Sequence, residues 1–412
     1  MSASLDGALQ VLRPPEDGLP YLRHDRAAEL TAGPGSLAIE GELIAGFSPD
    51  AQADVRIDAS GCAVIPGFVD CHTHLPFAGW RAQEYEMKVT GVPYEQIARA
   101  GGGIRSSARA FAVAGDEQVL GQAGALAAEM LAHGTTAFEC KSGYGLSVAA
   151  ERRALALAEA LGERAIQAIT STALLAHAVP DGYDADGWME EVAALVPEVA
   201  ASTRVSALDL YVESIGFTND HLRRMGKLAA GHGLDLRAHV EQFHANRSVP
   251  VALEAGARSV DHLSCLHPDD LAPLAAAQCA AVLLPGAEVM GDEHVAPGRA
   301  LADAGAICVL ATDANPGTSP IVSMPLIIGL AVRRYGWSAP EALLASTLNA
   351  AWVLRMSETT GSLEAGKRAD LLLLDGPLEH VPYRLGHNPV AVALVAGRLA
   401  WVRPDQAWRV AT

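Results

Sequence analysis

The sequence predicts a (β/α)8 barrel, of the TIM-barrel type, joined to a small β-sandwich domain built from both ends of the chain. Three observations carry this expectation. The middle of the chain alternates apolar strand-like runs with helical patterns, and eight such strands can be counted. The two ends share another texture, short alternating runs punctuated by Asp, Gly and Pro. Polar residues of metal-binding type close one strand after another, as expected where a parallel barrel gathers its active site at the C-terminal strand ends.

The first segment holds SLAIEGELIAGF and ADVRIDASGCAVI, and after Gly366 the same texture returns in RADLLLLDG and PVAVALVAGRLAWV. The expected division is a small antiparallel β domain from residues 1–65 and 360–412 and a barrel domain from residues 66–359. The barrel strands are read as AVIPGFVDCHTH, TTAFECKSG, AIQAITSTALLAH, SALDLYVES, LDLRAHVEQ, ARSVDHL, AAVLLPG and AICVLATD. Helical patterns lie between them, among them EQVLGQAGALAAEMLAHG, AAERRALALAEALG, WMEEVAALVPEVA, TNDHLRRMGKLAAGHG and SVPVALEAG. A further helical run, APEALLASTLNAAWVLRM, follows the last strand.

Half of the 412 residues are hydrophobic, enough for a sizeable core, and the formal net charge is −18. That charge argues against nucleic acid and against an anionic membrane surface as partners. It also means that an anionic substrate needs local cations. The first residues show no basic segment followed by an apolar one, and no apolar run is long enough to span a bilayer. The six cysteines form no CxxC pair, which suits a reducing cytoplasm and not a disulfide framework. Cys71 is expected to pack, turned away from its histidine neighbours by strand alternation.

Strand one runs into His72 and His74, which alternation aims to one face. An isolated HxH pair is more often two histidines at a wet strand end, so the other strands decide. Strand two ends in Lys141, Ser142, Gly143 and Tyr144; strand three in His177; strand five in His239, Glu241 and Gln242; strand six in His262; strand eight in Asp313. His72, His74, His239 and Asp313 offer three imidazoles and one carboxylate with a position left for water, a set that suits Zn²⁺ and is open to Fe. Such an ion lowers the pKa of its water toward neutrality. Asp313 could accept the water's proton, and His262 could hydrogen-bond the attacking oxygen or the developing charge. The reaction class is metal-assisted hydrolysis of an electrophilic carbon. Lys141 ends strand two, whereas strand four, where a metal-bridging lysine would be expected, ends in Tyr211, Val212 and Glu213. One ion is therefore expected, with a supporting role for Lys141.

PGFVDCHTH, the strand-five histidine, the VDH of strand six and the ATD of strand eight resemble the amidohydrolase superfamily, and the terminal GSLEAGKRADLLLLD matches it too. The resemblance covers nearly the whole chain. Within the superfamily, DCHTHLPFAGWRAQEYEMKVTGVPYEQIARAGGGI, KSGYGL and ATDANPGTSP resemble the imidazolonepropionase family. That resemblance implies that water opens the ring of 4-imidazolone-5-propanoate to give N-formimidoyl-L-glutamate in histidine degradation. It implies one Zn²⁺ or Fe³⁺ per subunit, held by His72, His74, His239 and Asp313, in a cytoplasmic homodimer. It places Arg81 at the substrate arginine, and Tyr144 and His177 at positions that hold the substrate. Asn315, Gly317 and Thr318 match the substrate- and product-binding loop. Gln242 stands three residues after the metal histidine, where the family has glutamate or glutamine. Many members read proline where this chain has Cys71.

These transfers make physical sense. A propionate suits the forked donors of Arg81, a local cation in an acidic chain. An amide does not titrate, so Asp313 and His262 are expected to carry the proton work while Gln242 hydrogen-bonds the ring. Glu241 faces the other way on an ideal strand. The glycines at 101–103, ahead of Ile104, fit either a close approach to a ligand or a hinge. Two other readings compete: a mononuclear heterocycle aminohydrolase (a deaminase), which would usually carry glutamate where this chain has Gln242, and an inactive barrel serving as a scaffold. The complete ligand set speaks against the scaffold.

Overall fold

The computed structural model describes residues 2–202, 204–214, 216–291 and 294–411. Eight parallel strands pair in sequence order: Phe68–Asp70, Thr135–Lys141, Ala168–Ala176, Val205–Tyr211, Asp235–Val240, Ala257–His262, Ala280–Leu283 and Ile307–Leu310. They are called barrel strands one to eight. Most of their residues are buried, as expected of parallel strands covered on both faces. The seam between strands one and eight is closed by side chains and by the segments beyond the strands. Asp70 accepts hydrogen bonds from Thr312 N at 3.1 Å and Thr312 Oγ1 at 2.5 Å. Thr73 bridges Ala314, and His74 N donates to Ala314 O at 2.9 Å.

The other sheet has nine strands and contains both ends of the chain. It is formed by Ser2–Arg13, Thr31–Glu40, Leu43–Gly46, Val55–Asp58, Ala63–Pro66, Leu371–Leu374, Val390–Val395, Arg398–Val402 and Val410–Ala411. Leu5, Leu37, Ile57, Val64, Leu371 and Leu394 are buried together in its core. Two expectations need correction here. The sheet is mixed, because Ser2–Arg13 runs parallel to Val55–Asp58 and Ala63–Pro66. That first strand, 12 residues long, was not among the predicted ones. Its pairing shifts register between Leu5 and Ala8 and again before Val11, which erases the strict alternation that reveals a strand.

The predicted strand AVIPGFVDCHTH is also two strands. Ala63–Pro66 pairs with Leu371–Leu374 in the terminal sheet, whereas Phe68–Asp70 pairs with barrel strand two. The chain changes sheet at Gly67, whose N–H goes to Asp370 O while that of Phe68 goes to Gly134 O. His72 and His74 thus lie beyond the strand. Cys71 does pack, with Val69, Ala137, Val282 and Val309. Cys62, Cys71, Cys140, Cys279 and Cys308 form no disulfide.

Helices Asp116–Ala132, Val148–Arg164, Ala185–Ala200, Asn219–Gly231 and Ser248–Glu254 fall where the helical patterns are. The last pattern divides into Ala339–Ala345 and Leu348–Val353. Ser346 and Thr347 bond back to carbonyls one turn earlier, a contact that bends helices, and Thr347 leaves the helical region. Three helices absent from the sequence reading, Ala82–Val89, Tyr94–Arg99 and Ile104–Val113, fill the connection after strand one. The glycines at 101–103 form the turn between the second and third of these. Both Glu84 carboxylate oxygens accept from Gly103 N, at 3.1 and 3.0 Å, so the turn is clamped. Among the described residues, no helix is long and apolar enough to cross a membrane.

Candidate active site

The strand ends bring His72, His74, His239, His262 and Asp313 together. The donor atoms of His72, His74 and Asp313 lie within 4.8 Å of one another, and so do those of His72, His239 and His262. Asp313 Oδ1 stands 3.4 Å from His72 Nε2 and 3.3 Å from His74 Nε2. Ligand atoms around a tetrahedral ion at ~2.0–2.1 Å are separated by about the same amount. His72 Nε2, His239 Nε2 and Asp313 Oδ2 are buried without a hydrogen-bond partner. Orphaned acceptors converging in a dry site are costly unless a cation satisfies them, so the donor set fits a metal ion.

The other ring nitrogens explain which lone pairs converge. His72 Nδ1 lies 2.6 Å from Asp261 Oδ2, and His239 Nδ1 lies 3.1 Å from Asp209 Oδ1. A carboxylate on one nitrogen fixes the proton there and turns the other nitrogen toward the ion. Burial, aided by the Lys141 ammonium, holds His72 well below the ordinary histidine range, and burial with His239 does the same to His74. Burial pushes His262 down to about 3. These rings are neutral, the form that ligates metals. Burial raises Asp313 against the pull of His262 and His239.

Beneath the cluster lies a buried layer of charge. Lys141 Nζ is 2.7 Å from Asp209 Oδ2, 3.1 Å from Glu139 Oε2 and 3.9 Å from Asp261 Oδ2. Arg237 donates to Glu139, to Asp261 at 3.0 Å and to Ser259 at 2.9 Å. Against their burial, the neighbouring cations hold Asp209 and Asp261 below the ordinary carboxylate range.

Backbone strain collects at the same strand ends. Glu241, His262, Leu263 and Asp313 all take left-handed conformations, with φ of 56°, 83°, 62° and 54°. At Glu241 this reverses the chain: its side chain accepts from Ser248 N at 2.6 Å, and Gln242 enters the cavity. Burial raises Glu241 to about 7. Tyr211 Oη donates to Gln242 Oε1 at 3.1 Å.

A cavity stands over the cluster, lined by Arg81, Ile104, Tyr144, His177, Tyr211, Gln242, Asn315 and Thr318 together with His74, His239, His262 and Asp313. Arg81 is 7% exposed, donates to Ser107 Oγ at 2.5 Å and lies 3.2 Å from Glu84 Oε2. The Tyr144 and His177 rings are 5.4 Å apart, and His177 stacks on His74 at 5.3 Å. The His177 ring sits against Gly143, with Nδ1 3.0 Å from its carbonyl. Gly143 has φ of 112°, and a Cβ there would come within 2.8 Å of that nitrogen, so the position requires glycine.

The loop after Asp313, which brings Asn315 and Thr318 to the cavity wall, is held together by Asn315. Asn315 Oδ1 accepts from Gly317 N at 2.9 Å and Thr318 N at 2.8 Å, while Nδ2 donates to Asp313 O at 2.6 Å and Thr318 Oγ1 at 2.8 Å. Asn315 therefore organises the loop, and the N–H groups of Gly317 and Thr318 point at it and not into the cavity. Gly317 lies against the Arg81 guanidinium.

Sequence reasoning missed several residues that position the site. Glu151 accepts from Gly143 N at 2.9 Å, Gly145 N at 2.7 Å and Leu146 N at 3.0 Å, tying down the loop that carries Tyr144. Arg237 and Glu139 lie two residues before His239 and Lys141 on the same strands, an alternation that was the available signal for them, whereas Asp209 and Asp261 sit in apolar runs with no such signal. Glu84 and Ser107 belong to the helices that the reading did not resolve.

A parallel barrel with HxH after strand one, histidines on strands five and six and aspartate after strand eight defines a metal-dependent hydrolase of amidohydrolase type. The model of the Amidohydrolase family matches residues 63–400. The imidazolonepropionase of Rubrobacter xylanophilus is 39% identical over 397 residues, 93% of this chain and 95% of that protein. That of Deinococcus radiodurans is 41% identical over 366 residues, 88% and 91% of the two chains. The chain belongs to the amidohydrolase family and, within it, to the imidazolonepropionases. Two solved structures share the fold at low identity. A triazine hydrolase variant superposes with a TM-score of 0.74 at 16% identity, over 98% of this chain and 96% of that one. A zinc-bound adenosine deaminase from Xanthomonas campestris does so at 0.69 and 18%, over 97% and 93%.

Proposed function

We infer that the chain hydrolyses 4-imidazolone-5-propanoate to N-formimidoyl-L-glutamate, the ring-opening step of histidine degradation. The observation that carries the reading is Arg81, a buried guanidinium on the wall of a cavity whose floor is the His and Asp cluster. In an acidic chain, this is a built receptor for a carboxylate beside a hydrolytic centre. The membership described above supplies the heterocycle.

His72, His74, His239 and Asp313 would hold one ion, Zn²⁺ or Fe³⁺. When bound, the ion supplies a water that loses its proton near neutral pH. Asp313, with Oδ2 unpartnered, takes that proton. His262, on the wall of the cavity, is placed to hydrogen-bond the ring carbonyl oxygen, which would gain charge when water adds to its carbon. As the ring C–N bond breaks, Asp313 would return its proton to the leaving nitrogen, and the carboxylic acid so formed would release its own proton to solvent. Gln242, held by Tyr211 Oη, hydrogen-bonds the ring, and Tyr144 and His177 pack beside it. Glu241 lies outside this chemistry because Ser248 N holds its carboxylate. The partner is a small anionic heterocycle, and the absence of a disulfide at Cys62, Cys71, Cys140, Cys279 and Cys308 supports a reducing cytoplasm.

The test is incubation of purified protein with 4-imidazolone-5-propanoate. Loss of the ring chromophore with formation of formimidoylglutamate and no ammonia is expected. Ammonia release from a heterocyclic amine, with no turnover of the imidazolone, would replace this reading with the aminohydrolase.

A further inference from the structure

The buried charges under the cluster form two relays that meet at one carboxylate. In one, Arg237 holds Asp261, which holds Nδ1 of His72. In the other, Lys141 holds Asp209, which holds Nδ1 of His239. Glu139 lies between them and contacts both cations. Lys141, Asp209, Glu139 and Asp261 are wholly buried, so water does not screen the arrangement. Lys141 touches all three carboxylates.

We propose that Lys141 is a positioning residue: from beneath the site its ammonium orients the Asp209 and Asp261 carboxylates, and through them the Nε2 atoms of His239 and His72 that face the ion. The inference rests on the reading of those histidines as ligands. Three carboxylates and Arg237 alone would carry a net charge of −2 in a dry layer. Without the ammonium, Asp209 loses the cation that contacts its Oδ2 and opposes its turn away from His239. The ring then loses the bond that fixes its tautomer and its angle. Ligand partners of this kind typically change metal affinity by ~10–100-fold when removed.

Lys141→Met keeps the length of the side chain and removes the charge. The double variant Lys141→Met with Asp209→Asn removes both charges and guards against a variant that fails to fold around an unpaired carboxylate. Wild type and variants are stripped of metal, loaded with Co²⁺, and read by visible absorption and by competition with a chelator. The expected result is one tightly held Co²⁺ in wild type, with about 10–100-fold weaker retention and altered ligand-field bands in the folded variants. Variants that hold Co²⁺ as wild type does, with the same bands, would overturn the role of Lys141 alone. A wild-type chain that holds no ion would overturn the ligand assignment as well.

Discussion

Replacing Gly317 with alanine puts a carbon where the Arg81 guanidinium lies. The new Cβ would meet Nη2 at 2.0 Å and both Cζ and Nε at 2.2 Å. Heavy atoms in van der Waals contact stand ~3.5 Å apart, so the guanidinium must retreat by roughly 1.5 Å. The backbone at Gly317 is outside the left-handed region, so alanine adds no strain. The obstacle is the far end of a flexible side chain, which yields without disturbing the core. Stability should therefore change little while carboxylate binding suffers. A hydrogen bond to a charged group is worth ~1.5–3 kcal/mol, and a displacement of about 1 Å commonly costs ~10²-fold in rate. Gly317→Ala is expected to lower kcat/KM by about 10–100-fold, mostly through KM, with Tm nearly unchanged. Steady-state kinetics on 4-imidazolone-5-propanoate and a thermal melt read both. Wild-type KM in Gly317→Ala would refute the assignment of Arg81 to the substrate carboxylate.

Glu151→Gln turns one of the three backbone donors that Glu151 holds against an amide NH₂, so KM should rise about tenfold at ~1–3 kcal/mol per unsatisfied donor; unchanged KM would show that Tyr144 does not depend on this tie. Gln242→Ala should reduce kcat/KM far more than Glu241→Ala, since only Gln242 lines the cavity; the reverse ranking would return Glu241 to the chemistry. The His24 and Trp337 rings lie 4.3 Å apart, tilted by 44°, and both His24 ring nitrogens are buried without a hydrogen-bond partner. Burial lowers its pKa from 6.5 to about 4. Between those values the unfolded chain binds a proton that the folded chain does not, so stability is lost as pH drops from 6.5 to about 4, by roughly 3 kcal/mol. Chemical unfolding at pH 7, 6, 5 and 4 should show a shallower loss in His24→Phe; an identical slope would assign the loss to other groups.

The barrel was legible because its strands are buried on both faces and read as apolar runs, and because the ligand residues end those runs. His239, His262 and Asp313 could be placed by counting strands. Register shifts hid Ser2–Arg13, and the exchange of sheets at Gly67 left one long apolar run that looked like one strand. The helix Ala82–Val89 buries none of its residues, so it has no apolar stripe to announce it. The charged layer was less legible still. Asp209 and Glu139 sit inside apolar strands and become meaningful only when the barrel brings strands two, four, five and six together. Glu151 opens a helix, where a glutamate is ordinary, and its three backbone partners depend on the path of the preceding loop.

The central claim is a single-ion hydrolase centred on His72, His74, His239 and Asp313. Titrating metal-free protein with Zn²⁺, while measuring bound metal and turnover of 4-imidazolone-5-propanoate, tests it most directly. The account predicts that activity rises linearly and stops at one equivalent, and that His239→Ala shows neither tight binding nor activity. Full activity without metal, or a plateau only at two equivalents, would contradict it.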